Sequence, residues 1–276
     1  MGLLIDTQKQ AQECRRRLGR CYICAEPLPE RGTPEWTRDV TAEHVIPTSI
    51  LALTPQPPGK DWPLVLDVHK RCDERAKREA DQLTKVVHVL NTRGPAALAP
   101  DERGVIRNTC TVGEAPAEAG EPLPVLGGID RVMRNVFLWA RGFYAALYGE
   151  VPPAGVRQTT RAPAPGFDSN RPEVAEQLRE QARGTEAILV LLFRASARGL
   201  SDRVALLDGK IVFECAWFQR REGGSWMCHW ALDIPGSTKW AVETQGRDVP
   251  WHGAYELPHK PERAAAAPLA ELCKAT

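Results

Sequence analysis

Two short patterns in the first quarter of the chain have side chains suited to chemistry. Cys21 and Cys24 form a CxxC pair, and His69 and Cys72 repeat that spacing as HxxC. Between them lies TAEHVIP (41–47), which sets Glu43 beside His44 before an apolar-apolar-proline exit, and Asp73 follows Cys72 directly. A CxxC can be a redox pair, half of a zinc site, or chance. The redox reading wants a strand-helix context, and Pro27 and Pro29 argue against a helix opening just after the pair. Three thiolates and one imidazole make an ordinary tetrahedral zinc set, so the spacing favours structural zinc on Cys21, Cys24, His69 and Cys72. The bland alternative leaves His69 as a surface histidine.

Closing such a site draws the two ends of the segment together and sets a hairpin carrying His44 against a helix that begins near Asp73. Two hard carboxylates, Glu43 and Asp73, suit Mg²⁺ or Mn²⁺. A neighbouring imidazole can take a proton from an attacking water. A metal there can stabilise charge on a phosphate and its leaving oxygen, which is the chemistry of phosphodiester hydrolysis. Against this stands a plainer reading, with Glu43-His44 as a loop feature and Asp73 as a helix N-cap.

The elements that must hold these residues are partly legible. Residues 3–18 read as a helix stopped near Gly19, and EWTRDVTAEHVIP contains a β-prone stretch. From Asp73 onward, positions 73, 76, 80, 83, 87 and 90 fall on one helical stripe, with Asp73 as its one carboxylate. GIDRVMRNVFLWARGFYAALYGE (128–150) is amphipathic, with Ile129, Val132, Val136, Ala140, Phe143 and Leu147 on one face and Arg131, Arg134 and Arg141 as a basic edge. Residues 93–127 lack periodicity and read as an irregular connection, and 151–170 as a Pro-rich linker. In 171–260 a helical stretch near 171–183 precedes β-like segments, with a hairpin expected between KIVFECAWFQR and SWMCHWALDI around REGG. An Ala-rich tail closes the chain at 261–276.

The pattern of CxxC, then EHVIP at 43–47, then HKRCD at 69–73 resembles the HNH (ββα-metal) nucleases in their zinc-knuckle form. The resemblance implies a ββα fold over about residues 15–92, within an N-terminal unit of 1–92. It implies His44 as general base, Glu43 and Asp73 as ligands of a catalytic divalent metal, and Cys21, Cys24, His69 and Cys72 as the structural zinc site. The chain departs from the pattern at His69, where Cys is usual, and at Asp73, where Asn or His is usual. No counterpart of the family's middle Asn stands in GKDWPLVLDV. The expected architecture is therefore α+β: a zinc-stabilised ββα-metal nuclease module, then a helix, then a small α+β domain with a C-terminal β-hairpin. The segments RNVFLWARGFYAALYGEVPP and FECAWFQRREGGSWMCHWAL also resemble stretches that follow the motif in bacterial HNH proteins of similar length.

Composition bounds the partners. A formal net charge of +1 over 276 residues gives no global field for nucleic acid or membrane, so binding must come from a local patch. Lys70, Arg71, Lys77 and Arg78 are the candidates for phosphate contact, against a reading as a solvated helix face. No apolar run approaches the roughly 20 residues of a membrane span, and the start lacks a secretory signal, so a cytoplasmic protein without a membrane partner is expected. The eight cysteines then read as thiols and ligands, not disulfides. Cys228-His229 with His252 is spaced too irregularly for a second metal site and reads as a core Cys beside an exposed His. The tryptophans between 217 and 251 read as core. The expected activity is metal-dependent cleavage of nucleic acid, DNA in the first instance, with the C-terminal half contributing substrate choice, a protein partner or oligomerisation. The alternative is a catalytically inactive zinc-stabilised module that binds nucleic acid or protein.

Overall fold

Residues Leu4–Ile5 form a strand, β1, where the sequence pattern predicts the start of a helix. The computed structural model describes residues 3–54, 62–93, 95–109, 112–113, 125–126, 129–151, 158–161, 189–219, 226–234 and 240–245. β1 pairs in parallel with a strand nearly 200 residues later, β7 (Asp202–Leu206), and the Leu3 amide donates to Asp202 Oδ1 at 2.6 Å. The helix itself, α1 (Gln8–Arg17), starts only after Thr7, which forms a capping box with Gln10. Each of these two side chains satisfies the other's backbone N–H, so the helix boundary is chemically specified. Ala11, Cys14 and Leu18 carry its buried side.

The segment around TAEHVIP folds as a two-stranded antiparallel sheet followed by a helix. α2 (Pro34–Asp39), capped by Thr33, leads into β2 (Val40–His44). β3 (Val65–His69) pairs with β2, Glu43 opposite Leu66 and His44 opposite Val65. A short 3₁₀ turn, Lys70–Asp73, then delivers the chain to α4 (Arg75–Arg93). A four-residue helix, α3 (Thr48–Leu51), follows Pro47 and buries Ile50 and Leu51.

α5 (Pro100–Thr109) lies inside the stretch expected to be an irregular connection. Its start is chemically sound: Pro100 opens it, Asp101 and Glu102 fill the first turn, and Glu102 accepts from the Ala99 amide at 3.0 Å. Leu98 and Val105 pack with Val86 and Val89 of α4, and Lys85 pairs with Glu102 at 2.7 Å. Short strands β4 (Val112–Gly113) and β5 (Val125–Leu126) pair with each other.

α6 (Ile129–Tyr148) is the central pillar. Val132, Val136, Ala140, Phe143 and Leu147 are buried as its pattern predicts, and so are Trp139, Arg141, Tyr144 and Tyr148. It is buried on more than one side because α4 packs on it from one direction and a six-stranded sheet from another. That sheet runs in the order β1-β7-β8-β9-β10-β6, with β6 (Gln158–Arg161), β8 (Ile211–Gln219), β9 (Trp226–Asp233) and β10 (Trp240–Gln245). All its pairings are antiparallel except β1 with β7. The expected hairpin is the β8–β9 pair, with Trp217 opposite Cys228; its REGG turn lies outside the described residues. So do the helix expected near 171–183 and the Ala-rich tail.

Aromatic rings join α6 to the sheet. Phe143 stacks on Phe213 with centroids 5.1 Å apart, and Phe137 and Tyr144 flank Trp230 at 5.5 and 5.7 Å. Trp217 and Trp230 are thus core residues, as their pattern predicts. The helical residues 189–197 cover the opposite face of the sheet, where Leu192 and Ala195 meet Ala216. His229 stands opposite Ala216 in the register and is buried, correcting the expectation of an exposed histidine. One hydrophobic core runs without a break from α1 through α6 to β9. No helix among the described residues is long and apolar enough to cross a membrane.

Candidate metal centre and acidic cluster

The Cys/His group is built from two turns. After α1 the chain makes a tight knuckle in which the Ala25 amide donates to the Cys21 carbonyl at 2.8 Å and the Cys21 amide to the Glu26 carbonyl at 2.9 Å. Ala25 takes a left-handed φ of 65° to close it. The 3₁₀ turn after β3 brings His69 and Cys72 across. The ligand atoms of Cys21, Cys24, His69 and Cys72 all lie within 4.8 Å of one another, a group that can hold a metal ion such as zinc. Among the described residues no other group of three or more His, Cys, Asp or Glu comes together in this way.

His69 is oriented for the task. Its Nδ1 lies 3.3 Å from Cys24 Sγ, while Nε2 donates to the Pro27 carbonyl at 3.1 Å. That outer hydrogen bond puts the ring proton on Nε2 and leaves the Nδ1 lone pair facing the thiols, the usual way a second contact fixes a metal-binding tautomer. Burial raises the pKa of Cys21, and burial followed by the neighbouring Cys21 and Cys24 pushes Cys72 up to about 12. A cation among thiols so crowded would stabilise their thiolates. Arg141, read from sequence as part of a basic edge, is buried and donates to the Ile23 carbonyl of the knuckle at 2.8 Å.

Beyond the knuckle lies an acidic cluster. The Glu43 carboxylate is bonded by the Lys77 ammonium, which also donates to Asp81 Oδ2 at 2.7 Å. Lys77 is only 4% exposed in its side chain. Asp81 Oδ1 accepts from Asn135 Nδ2 at 2.9 Å and from Trp139 Nε1 at 3.3 Å, so α6 anchors the far end of the network. Burial raises the pKa of Glu43, the bond from Lys77 opposes that rise, and the Asp73 carboxylate close beside it adds to it. Arg78 stands 3.8 Å from Asp73. Burial, and then the charge of Lys77, lowers the pKa of the half-buried His44, which keeps its imidazole neutral and able to accept a proton. Tyr22, fully buried, faces the same cluster: after burial, the charges of Glu43 and Asp81 are the leading reasons its hydroxyl resists ionisation. That hydroxyl has no hydrogen-bond partner among the described residues.

The structure therefore brings Glu43 and Asp73 together, while His44 follows Glu43 at the end of β2, within reach of the charge of Lys77. It does not converge the three onto one point as it does the Cys/His group. Asp73 ends the 3₁₀ turn, two residues ahead of α4. The basic residues divide. Lys70 reaches the Thr37 carbonyl at 2.9 Å, Arg71 pairs with Glu26, and Arg78 is exposed. A groove lined by Lys70, Asp73, Glu74, Arg78, Glu79 and Gln82 opens beside Asp73. Lys77 corrects the expected set: it faces inward and holds carboxylates, because Asp81 one turn on and Glu43 across from it offer a buried ammonium two partners.

Sequence reasoning missed Asp81, Asn135, Trp139 and Tyr22. A second stripe on α4, Lys77, Asp81, Thr84 and His88, has helical spacing and is buried, so the signal existed in a polar form that an apolar-face search passes over. It also missed Asp67, buried at the middle of β3 and paired with Arg15 at 2.7 Å and with Arg31. These pairs tie α1 and the segment after the knuckle to the hairpin that carries His44. No protein-family model, curated protein or solved structure matches this chain.

Proposed function

We propose that the protein is a metal-dependent endonuclease of the HNH type that hydrolyses phosphodiester bonds in nucleic acid, DNA in the first instance. The observation that carries the reading is the β2–β3–α4 unit, closed by the Cys/His group, with the Glu43 and Asp73 carboxylates side by side and His44 following Glu43 on β2. Zinc on Cys21, Cys24, His69 and Cys72 is the structural metal, since three thiolates and an imidazole form a closed tetrahedral set. Two adjacent hard carboxylates, Glu43 and Asp73, fit Mg²⁺ or Mn²⁺. That metal, when bound by Glu43 and Asp73, supplies charge stabilisation at the phosphate and the leaving oxygen.

The chain's own residues do the rest. Neutral His44 takes the proton of the attacking water, and its lowered pKa preserves this capacity to mildly acidic pH. Lys70 and Arg78, on the groove beside Asp73, orient the phosphate backbone, and Arg71 lies at the same end of β3. Asp67, Arg15 and Arg31 brace the hairpin against α1.

A non-catalytic zinc-stabilised binding module is the second reading. It draws on Glu43 being engaged by Lys77 and on Glu43, His44 and Asp73 not meeting at one point. Incubation of the purified protein with supercoiled plasmid and with single-stranded DNA, in Mg²⁺, in Mn²⁺ and in EDTA, separates the two. Cleavage with either divalent ion and none in EDTA is expected. Binding without cleavage in any metal would establish the module.

A further inference from the structure

We propose that the Lys77 ammonium is the resident counter-ion of the divalent-cation site, and that a divalent cation binds Glu43 and Asp73 only by displacing Lys77 from Glu43 toward Asp81. The inference rests on the reading of Glu43 and Asp73 as divalent ligands and adds what controls their occupancy. Lys77 is nearly fully buried, and its Nζ bridges Glu43 Oε1 and Asp81 Oδ2. A buried ammonium must keep at least one carboxylate partner, because an unpaired buried charge is strongly destabilising. Asp81 is that partner: it lies one turn further along the same helix, and Asn135 and Trp139 hold its other oxygen in place. Lys77 can thus leave Glu43 without becoming unpaired.

A second observation points to a ligand at the same place. The Tyr22 hydroxyl, fully buried and facing Glu43, Asp81 and Asp73, has no partner among the described residues. Asn135 Oδ1, also buried at this cluster, has none either. Buried polar groups left unsatisfied mark a site completed by something further, such as a bound ion with its waters.

The test measures Mn²⁺ binding by electron paramagnetic resonance on the full-length, zinc-loaded protein, with MnCl₂ as the probe. Lys77→Met removes the competitor and should tighten Mn²⁺ binding about tenfold or more, equivalent to roughly 1.4 kcal/mol. Asp81→Asn strands Lys77 on Glu43 and should weaken it. The decisive variant is Lys77→Met with Asp81→Asn. It leaves the net charge of the site unchanged and places no unpaired carboxylate at 81, so it also guards against a single variant that fails to fold. Displacement predicts that this pair still binds Mn²⁺ more tightly than the wild type, and unchanged or weaker binding overturns the proposal. Asp73→Asn separates the two levels of the argument. If it binds Mn²⁺ as the wild type does, the divalent reading of Glu43 and Asp73 falls and takes this proposal with it. If it loses Mn²⁺ while the double variant gains nothing, only the displacement is wrong.

Discussion

His69 shows how much one side chain determines here. Its Nε2 is committed to the Pro27 carbonyl, so only Nδ1 can face Cys24. The ligand spacing was legible in the sequence because each half-site is local, set by a turn of four residues. The inward turn of Lys77 was not, because it depends on Glu43, 34 residues earlier, and on an Asp81 that Asn135 anchors from another helix. With Cys21 raised and Cys72 pushed up to about 12, these two thiols carry protons at neutral pH and must release them to bind zinc. Zinc affinity should therefore climb as pH rises, and fall as it drops toward the acid range. Competition with a chromophoric chelator across that range measures it, and a flat profile would show that the thiols are not the ligands. Cys24→Ala should lose zinc and solubility together; a folded, zinc-replete variant would move the knuckle elsewhere.

At the scale of elements, α6 sets the spacing between knuckle and hairpin. A Cβ on Gly142 would sit 2.8 and 2.9 Å from the two methyls of Val45 and 3.3 Å from Tyr22 Cδ2. Val45 follows His44 directly and Tyr22 lies within the knuckle, so glycine lets one helix approach both. Gly142→Ala should cost about 1–3 kcal/mol through overpacking and shift His44 with Val45. Thermal melting and zinc content check this; an unchanged melt would mean that the contact relaxes at no cost. The long elements, α4, α6 and the β8–β9 hairpin, were readable because hydrophobic period persists over many residues. β1 was not, since two residues carry no period and their partner strand lies nearly 200 residues away. α5 was hidden by its Pro- and Gly-rich surroundings, although Pro100, Asp101 and Glu102 form a legible helix start.

For the whole molecule, the shared core matters more than any boundary drawn along the chain. β1 belongs to the sheet that β7 begins, and Tyr148 at the end of α6 donates to Asp202 Oδ2 at 2.6 Å. Asp81 on α4 is held by Asn135 and Trp139 on α6. A fragment of residues 1–92 would expose the α6-facing side of α4 and leave β1 without its neighbour. It should be insoluble or lack cooperative unfolding, and a soluble fragment that binds zinc and melts cooperatively would contradict the single core. Composition bounded the chain as near neutral, yet it could not show that the C-terminal sheet supports the N-terminal site, because that support runs through α6 packing.

The most direct measurement of the central claim is plasmid cleavage by wild type and His44→Ala at matched concentration in Mn²⁺, with zinc quantified on the same preparations. A general base at His44 predicts one zinc per chain in both, unchanged folding, and cleavage lost by about 10²-fold or more in the variant. Undiminished metal-dependent cleavage by folded His44→Ala would contradict it.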